Sequence, residues 1–361
     1  MVAPARDWRF ESSPGHSMFR LFINPIIVSL IALAAVYWWG GFAALLLAAM
    51  LAVLEVTLSF DNAVVNAKVL EKMSPRWQQR FLTWGMLFSV VGTRLILPIL
   101  IVSAVTFVSP FVIAHLAIYD QHAYAAMLST AGPAIKAFGG VFLLLVSLAF
   151  FFDDGKQVHW LVPLERRLAR WGKVESIEIA LALVALAVSS YFAPDSAATI
   201  LRSGLAGVLL FVLMESMTSG LGSVTETSAV SAGVARNAAR AGFSLFIYLN
   251  LLDAAFSLDG VVGAFALTTS LPIIVVGLGI GAYFVRSLTL LLVERQTLAT
   301  LRYIEHGAHW AIFGLAATMF VGLAVAVPEW VAGSVGLACI VFAYVSSRRA
   351  SRSSKSVASR E

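Results

Sequence analysis

The chain has 361 residues, 60% of them hydrophobic and only 12% charged. A soluble domain carries about a quarter charged residues, so this sequence lacks the polar surface to cover a fold in water. Apolar stretches near the roughly 20 residues that cross a bilayer as a helix recur throughout, and they leave an all-α, polytopic transmembrane bundle as the expected fold class.

Residues 1–18 read as a polar cytoplasmic tail. The apolar run after them has no small-residue cleavage pattern, which predicts a retained first helix rather than a signal peptide. About ten spans follow. The first two cover 19–39 and 42–67, and the second carries Glu55, Ser59, Asp61, Asn62 and Asn66. The third, 82–108, carries Arg94. From Pro110 to Pro133 the chain reads as a solvated outer loop, with His115, Asp120 and His122 giving it at most a weak metal-gathering role. The fourth span, 133–152, contains Lys136. A basic amphipathic linker, 153–175, is expected to lie along an anionic inner leaflet. Spans five and six cover 176–193 and 203–220, the latter with Glu215 as a further buried acid. The small-residue stretch around Thr225, Glu226 and Thr227 reads as a linker. Spans seven to ten cover 242–267, 272–293, 307–327 and 329–347, before a cytoplasmic tail at 348–361. Asp253, Ser257 and Asp259 lie in the seventh and Arg286 in the eighth. His306 and His309 open the ninth beside Glu305, as interfacial solvated residues or as a gate or proton relay.

Charge supports this topology. Lys68, Lys72, Arg76 and Arg80 follow the second span, Lys156, Arg166, Arg167, Arg170 and Lys173 the fourth, and Arg236 and Arg240 the sixth. Arg295 and Arg302 follow the eighth, and both tails are basic. The odd-numbered connections hold only Arg202. By the positive-inside rule, both termini are cytoplasmic in a multi-pass inner-membrane protein. The basic balance is therefore topological, and no nucleic-acid partner is expected. Tryptophans such as Trp38, Trp39, Trp77 and Trp171 flank the spans as an interfacial belt would.

Glu55-Val-Thr-Leu-Ser59-Phe-Asp61 aligns with Asp253-Ala-Ala-Phe-Ser257-Leu-Asp259, acid on acid and serine on serine, at one constant offset. The copies are separated by an odd number of spans, so they cross the membrane in opposite directions. The next span of each half carries one arginine, Arg94 or Arg286. This is a five-plus-five inverted repeat, 19–193 and 203–347, of the kind that places ion sites between repeats at the midplane. Carboxylates at that depth cost several kcal/mol, with estimates from ~2.5 upward, unless paired or hydrated. Pairing with Arg94, Lys136 and Arg286 to lock helices together is the plain structural alternative.

At 100° per residue, Glu55, Ser59, Asn62 and Asn66 share one stripe, and Asp61 points roughly 120° away. Asp253, Ser257 and Gly260 repeat the stripe, with Asp259 turned aside. Either the helix unwinds near Ser59–Asn62 and brings the acids to one ion, or each aspartate faces its own partner. The donors are hard oxygens, which suit manganese, calcium or magnesium rather than zinc or copper. The excess of carboxylates makes a proton or sodium counter-ion available. The single cysteine, Cys339, excludes a disulfide framework and a thiolate cluster.

At Glu55-x-x-Leu58-Ser59-x-Asp61-Asn62, Asp253-x-x-Phe256-Ser257-x-Asp259, and the Gly139-Gly140-Val-Phe-Leu stretch after Lys136, the chain resembles the TerC family, which is associated with tellurium resistance and manganese export. The likeness runs over roughly residues 42–327 and is nearest to a longer branch of that family. It implies that Glu55, Asp61, Asn62, Asp253 and Asp259 line a divalent-metal site, supported by Ser59, Asn66, Ser257, Arg94, Lys136 and Arg286, with manganese export as the activity. Gly260 departs from the polar residue expected after the second aspartate. The expectation is a secondary transporter working by alternating access, without prosthetic group or enzymatic activity, since no nucleotide loop, dinucleotide fingerprint or activated nucleophile occurs. A calcium or sodium transporter, or a non-transporting scaffold in a stress-response or secretion complex, is the alternative.

Overall fold

The computed structural model describes residues 16–358, apart from 86, 154, 157, 175, 223–230 and 295–300. The described residues form helices and no strand. Within the helices a further set of side chains, Leu258 and Asp259 among them, lies outside the description.

Helix α1, His16–Leu58, is broken at Gly41, where φ is 73° and ψ −167°. Only glycine holds that conformation without strain, and the chain folds back there. Phe22 from the first arm reaches Phe284, while Glu55 and Ala52 of the second lie against Gly281, about one turn away on the same helix. Helix α2, Phe60–Glu71, continues the second arm after a single irregular residue, Ser59. Helix α3, Pro75–Arg80, leads into two π-helical stretches, Phe81–Gly85 and Phe88–Ile96, which pass into α4, Leu97–Thr106. The α4 helix stops at Phe107, whose φ of 57° is left-handed.

The stretch expected to be a solvated outer loop is helical instead, as α5, Pro110–Tyr119, and the start of α6, Gln121–Phe152. Its sequence holds the means: Pro110 stands in the first turn of α5, and the Asp120 carboxylate caps α6 by accepting from the Ala123 N–H at 3.0 Å. His115 stacks near Tyr119, with ring centroids 4.5 Å apart.

Helix α6 is the central post of the bundle. Its Gly139 and Gly140 let α12, Ile304–Ala324, approach at Met319, and its Phe138 carbonyl receives Gly207 of α9, Ala197–Gly222. Between α6 and α9 come α7, Val162–Trp171, and α8, Ile177–Phe192. Helices α10, Ser231–Leu267, and α11, Leu271–Glu294, follow α9, and α13, Glu329–Ala358, closes the chain. The last helix therefore runs through most of the segment expected as a tail, because its Arg, Ser, Lys and Ala residues carry helix on without needing apolar cover.

One apolar core surrounds α6, α9 and α12 through Phe142, Leu145 and Ile312, and a second joins α1, α4, α5 and α11 through Leu51, Val102, Ile113 and Leu278. Six helices are long and apolar enough to cross a membrane among the described residues, and shorter apolar helices stand at Val91–Thr106, Pro110–Tyr119 and Ile177–Phe192. Leu30, Ile31, Trp39, Phe42, Leu209 and Phe342 face outward. This is membrane-protein architecture, with apolar side chains turned to the surroundings as well as to the core.

Candidate ion-binding site

Gly277 and Gly281 set the position of the site. A methyl on Gly277 would lie 2.6 Å from Leu51 Cβ and 2.9 Å from the Ala48 carbonyl oxygen, and one on Gly281 would strike Cβ and Cγ of Glu55. This Gly-x-x-x-Gly pair lets α11 lie directly on the second arm of α1, as small residues do in close membrane packing. Gly260 of α10 completes the space, since a Cβ there would stand 3.2 Å from Glu55 Oε2. The departure noted at position 260 is thus the vacancy into which the Glu55 carboxylate fits.

Glu55 is buried and ion-paired with Arg94, which is equally buried. Ser59 Oγ donates to Glu55 Oε1 at 3.1 Å. One turn on, Asn62 Nδ2 donates to Asp253 Oδ1 at 2.7 Å, joining α2 to α10. The expected stripe of Glu55, Ser59, Asn62 and Asn66 therefore forms one wall. Its Ser59, Asn62 and Asn66, with Arg94, Asp253, Arg286 and Thr289, line a cavity of about 40 Å³, enough for a few waters or a small ion. Arg286 is hydrogen-bonded to Tyr283. Three buried acceptors of this lining, Asp253 Oδ2, Asn62 Oδ1 and Asn66 Oδ1, have no hydrogen-bond donor. The bond from Asn62 Nδ2 to Asp253 fixes which way that amide points, so its oxygen faces away from the carboxylate.

Asp61 goes elsewhere. Its Oδ1 accepts from the Asn62 N–H at 2.9 Å, and it lines a second cavity of about 20 Å³ with Glu55, Ser59, Gly260, Ala311 and Gly336. The irregularity at Ser59 does not unwind the helix: Ser59 N bonds to Glu55 O at 3.0 Å and Ala63 N to Ser59 O at 3.1 Å. Of the two arrangements open in the sequence, the structure takes the one in which each described aspartate has its own partners. No three His, Cys, Asp or Glu side chains converge on one point among the described residues. Ser257 is buried on α10, and the Asp259 side chain lies outside the described residues.

Other expected residues take other roles. Lys136 pairs with none of the described acids: its Nζ donates to the Gly322 carbonyl at 3.1 Å beside a separate cavity of about 340 Å³, lined also by Ser129, Val262 and Phe265. Glu215 is exposed rather than buried, because it lies off the packed stripe of α9 that runs through Gly204, Gly207, Phe211 and Met214. Thr225, Glu226 and Thr227 lie outside the described residues.

His306 is not a solvated interfacial residue. It is buried, and its Nδ1 stands 2.9 Å from Oε2 of Glu165 on α7. Glu165, which sequence reasoning did not single out, also accepts from Trp310 Nε1 at 3.0 Å and from the N–H groups of Trp160 and Leu161. Burial works against its ionisation, but the hydrogen bonds from His306 and Trp310 outweigh it and bring the carboxyl down to about 2. Nearby, His309 stacks on Phe150 with centroids 3.6 Å apart, and Lys156 Nζ stands 2.9 Å from the same ring's centroid. Burial pulls the Lys156 ammonium down to about 8, against Asp153, Glu165 and Glu305.

Residues 60–354 match the model of a family described as protein of unknown function (DUF475), so the chain belongs to that family. The matched region takes in Asp61, Arg94, Asp253 and Arg286 and begins after Glu55. No curated protein matches the chain, and no solved structure does.

Proposed function

We propose that this member of the DUF475 family is a secondary transporter of a divalent cation, with manganese(II) the favoured cargo and export the direction. The observation that carries the proposal is the set of three donor-less buried oxygens, Asp253 Oδ2, Asn62 Oδ1 and Asn66 Oδ1, around one small cavity. Buried acceptors without donors are costly, and a cation bound among them would offset that cost. Oxygen donors of carboxylate and amide type suit a hard divalent ion. The likeness of the Glu55 and Asp253 motifs to the TerC family favours manganese among such ions.

In this reading Asp253, Asn62 and Asn66 hold the ion, Glu55 and Ser59 stand beside it, and Asp61 serves a second station across Ser59. The ten-span arrangement supplies the frame, with cytoplasmic termini in the inner membrane and two inverted repeats rocking about the site. The break of α1 at Gly41, which divides its apolar length into two arms, supports that count. The test is manganese flux in proteoliposomes, run beside calcium, magnesium and zinc, for wild type, Asp61→Asn, Asp253→Asn and Asp259→Asn. Loss of flux in variants that still insert is expected. Undiminished manganese efflux in all three would sink the proposal.

A further inference from the structure

Arg94 occupies the place that an ion between Glu55 and Asp253 would need. Its guanidinium pairs with Glu55, lies close enough to Asp253 to feel its charge, and lines the same cavity as the three donor-less oxygens. A divalent ion in that cavity would stand directly against the guanidinium, and the two cations would repel each other strongly at such range. Without either cation, the buried Glu55 carboxylate would lose its ion-pair partner beside the buried Asp253, which is also costly. The site therefore always needs one cation. Arginine cannot supply a vacancy by losing its proton, so it leaves only by moving.

The backbone that carries Arg94 is suited to movement. It lies in the π-helical stretch Phe88–Ile96, preceded by a second at Phe81–Gly85. Such i→i+5 turns are rare and cluster at functional sites. Tightening one to i→i+4 bonding turns the residues on it about the helix axis and so swings a side chain out of register with its partner.

Resting on the cation-transport reading, we propose that Arg94 is a tethered competitor of the cargo: it fills the carboxylate site when no ion is bound, yields it to the ion, and expels the ion on returning. A merely structural ion pair would hold α1 to the π segment and have no such exchange.

The experiment is equilibrium binding of manganese(II) to the purified full chain, with flux in proteoliposomes alongside. Arg94→Gln is expected to bind about tenfold more tightly or better, because one like charge has been removed at close range. Its flux should fall by about tenfold, since release has lost its driving group. Arg94→Lys keeps the charge and should bind as wild type does. Wild-type binding with Arg94→Gln no tighter overturns the competitor and leaves the transport reading standing. Absence of binding in both overturns the transport reading and the competitor with it. Should Arg94→Gln not insert, Glu55→Gln is compared with Glu55→Gln/Arg94→Gln, in which removing the arginine should strengthen binding. Equal or weaker binding by the double variant overturns the proposal.

Discussion

A methyl on Gly281 would collide with Glu55 and lie 3.1 Å from the Ala52 carbonyl oxygen, whereas one on Gly132 would meet nothing within 4 Å. The two positions thus make a matched pair. Gly281→Ala should destabilise the protein by about 1–3 kcal/mol through overpacking. Gly132→Ala, in an accommodating helix, should leave stability unchanged or raise it by about 0.4–1 kcal/mol. Thermal unfolding of the detergent-solubilised variants separates them. At this scale the stripe of Glu55, Ser59, Asn62 and Asn66 was legible, because helical periodicity alone puts those residues on one face. The partner of each was not. That Asn62 meets Asp253 and Glu55 meets Arg94 depends on how helices far apart in sequence are packed, and periodicity is silent on packing.

Helix α7 is held to the start of α12 by one carboxylate. Glu165 receives donors from its own N-terminal turn and from His306 and Trp310, so a basic helix is anchored by its acid. Its folded pKa, about 2, lies below the ordinary 4.5. A depressed carboxyl contributes stability that is full above its unfolded value and is lost as pH falls through the folded one. The clamp is therefore expected to weaken between pH 4.5 and 2, seen as rising protease sensitivity at Arg166 and Arg170. Glu165→Gln should make those sites sensitive already at neutral pH and flatten the dependence. The amphipathic, basic character of this linker was plain in the sequence. Its anchor was not, since one glutamate among arginines reads as an intrahelical pair until His306 and Trp310 are brought beside it.

For the molecule as a whole, hydropathy carries the all-helical membrane architecture, because a bilayer demands long apolar helices. It failed where helices are short: Pro110–Tyr119 is apolar enough to pack yet too short to register as a span. Gly41 supplies a direct check on topology. With the chain reversing there, a tag inserted at Gly41 should be reached by impermeant reagents from outside intact cells. Tags at either terminus should be reached only after permeabilisation. Outside labelling of a terminus would overturn the proposed orientation.

Ser59 lines both small cavities, the one beside Asp253 and the one beside Asp61. In the proposed reading Ser59 is thus the residue that the two stations share, with its hydroxymethyl group as the septum at that point. On the proposed transport reading, so slight a septum would put a carrier close to being a pore. Ser59→Gly is expected to let ions slip between the stations without the conformational cycle, giving a passive conductance across planar bilayers that no longer saturates with manganese. Ser59→Val should seal the passage and silence it.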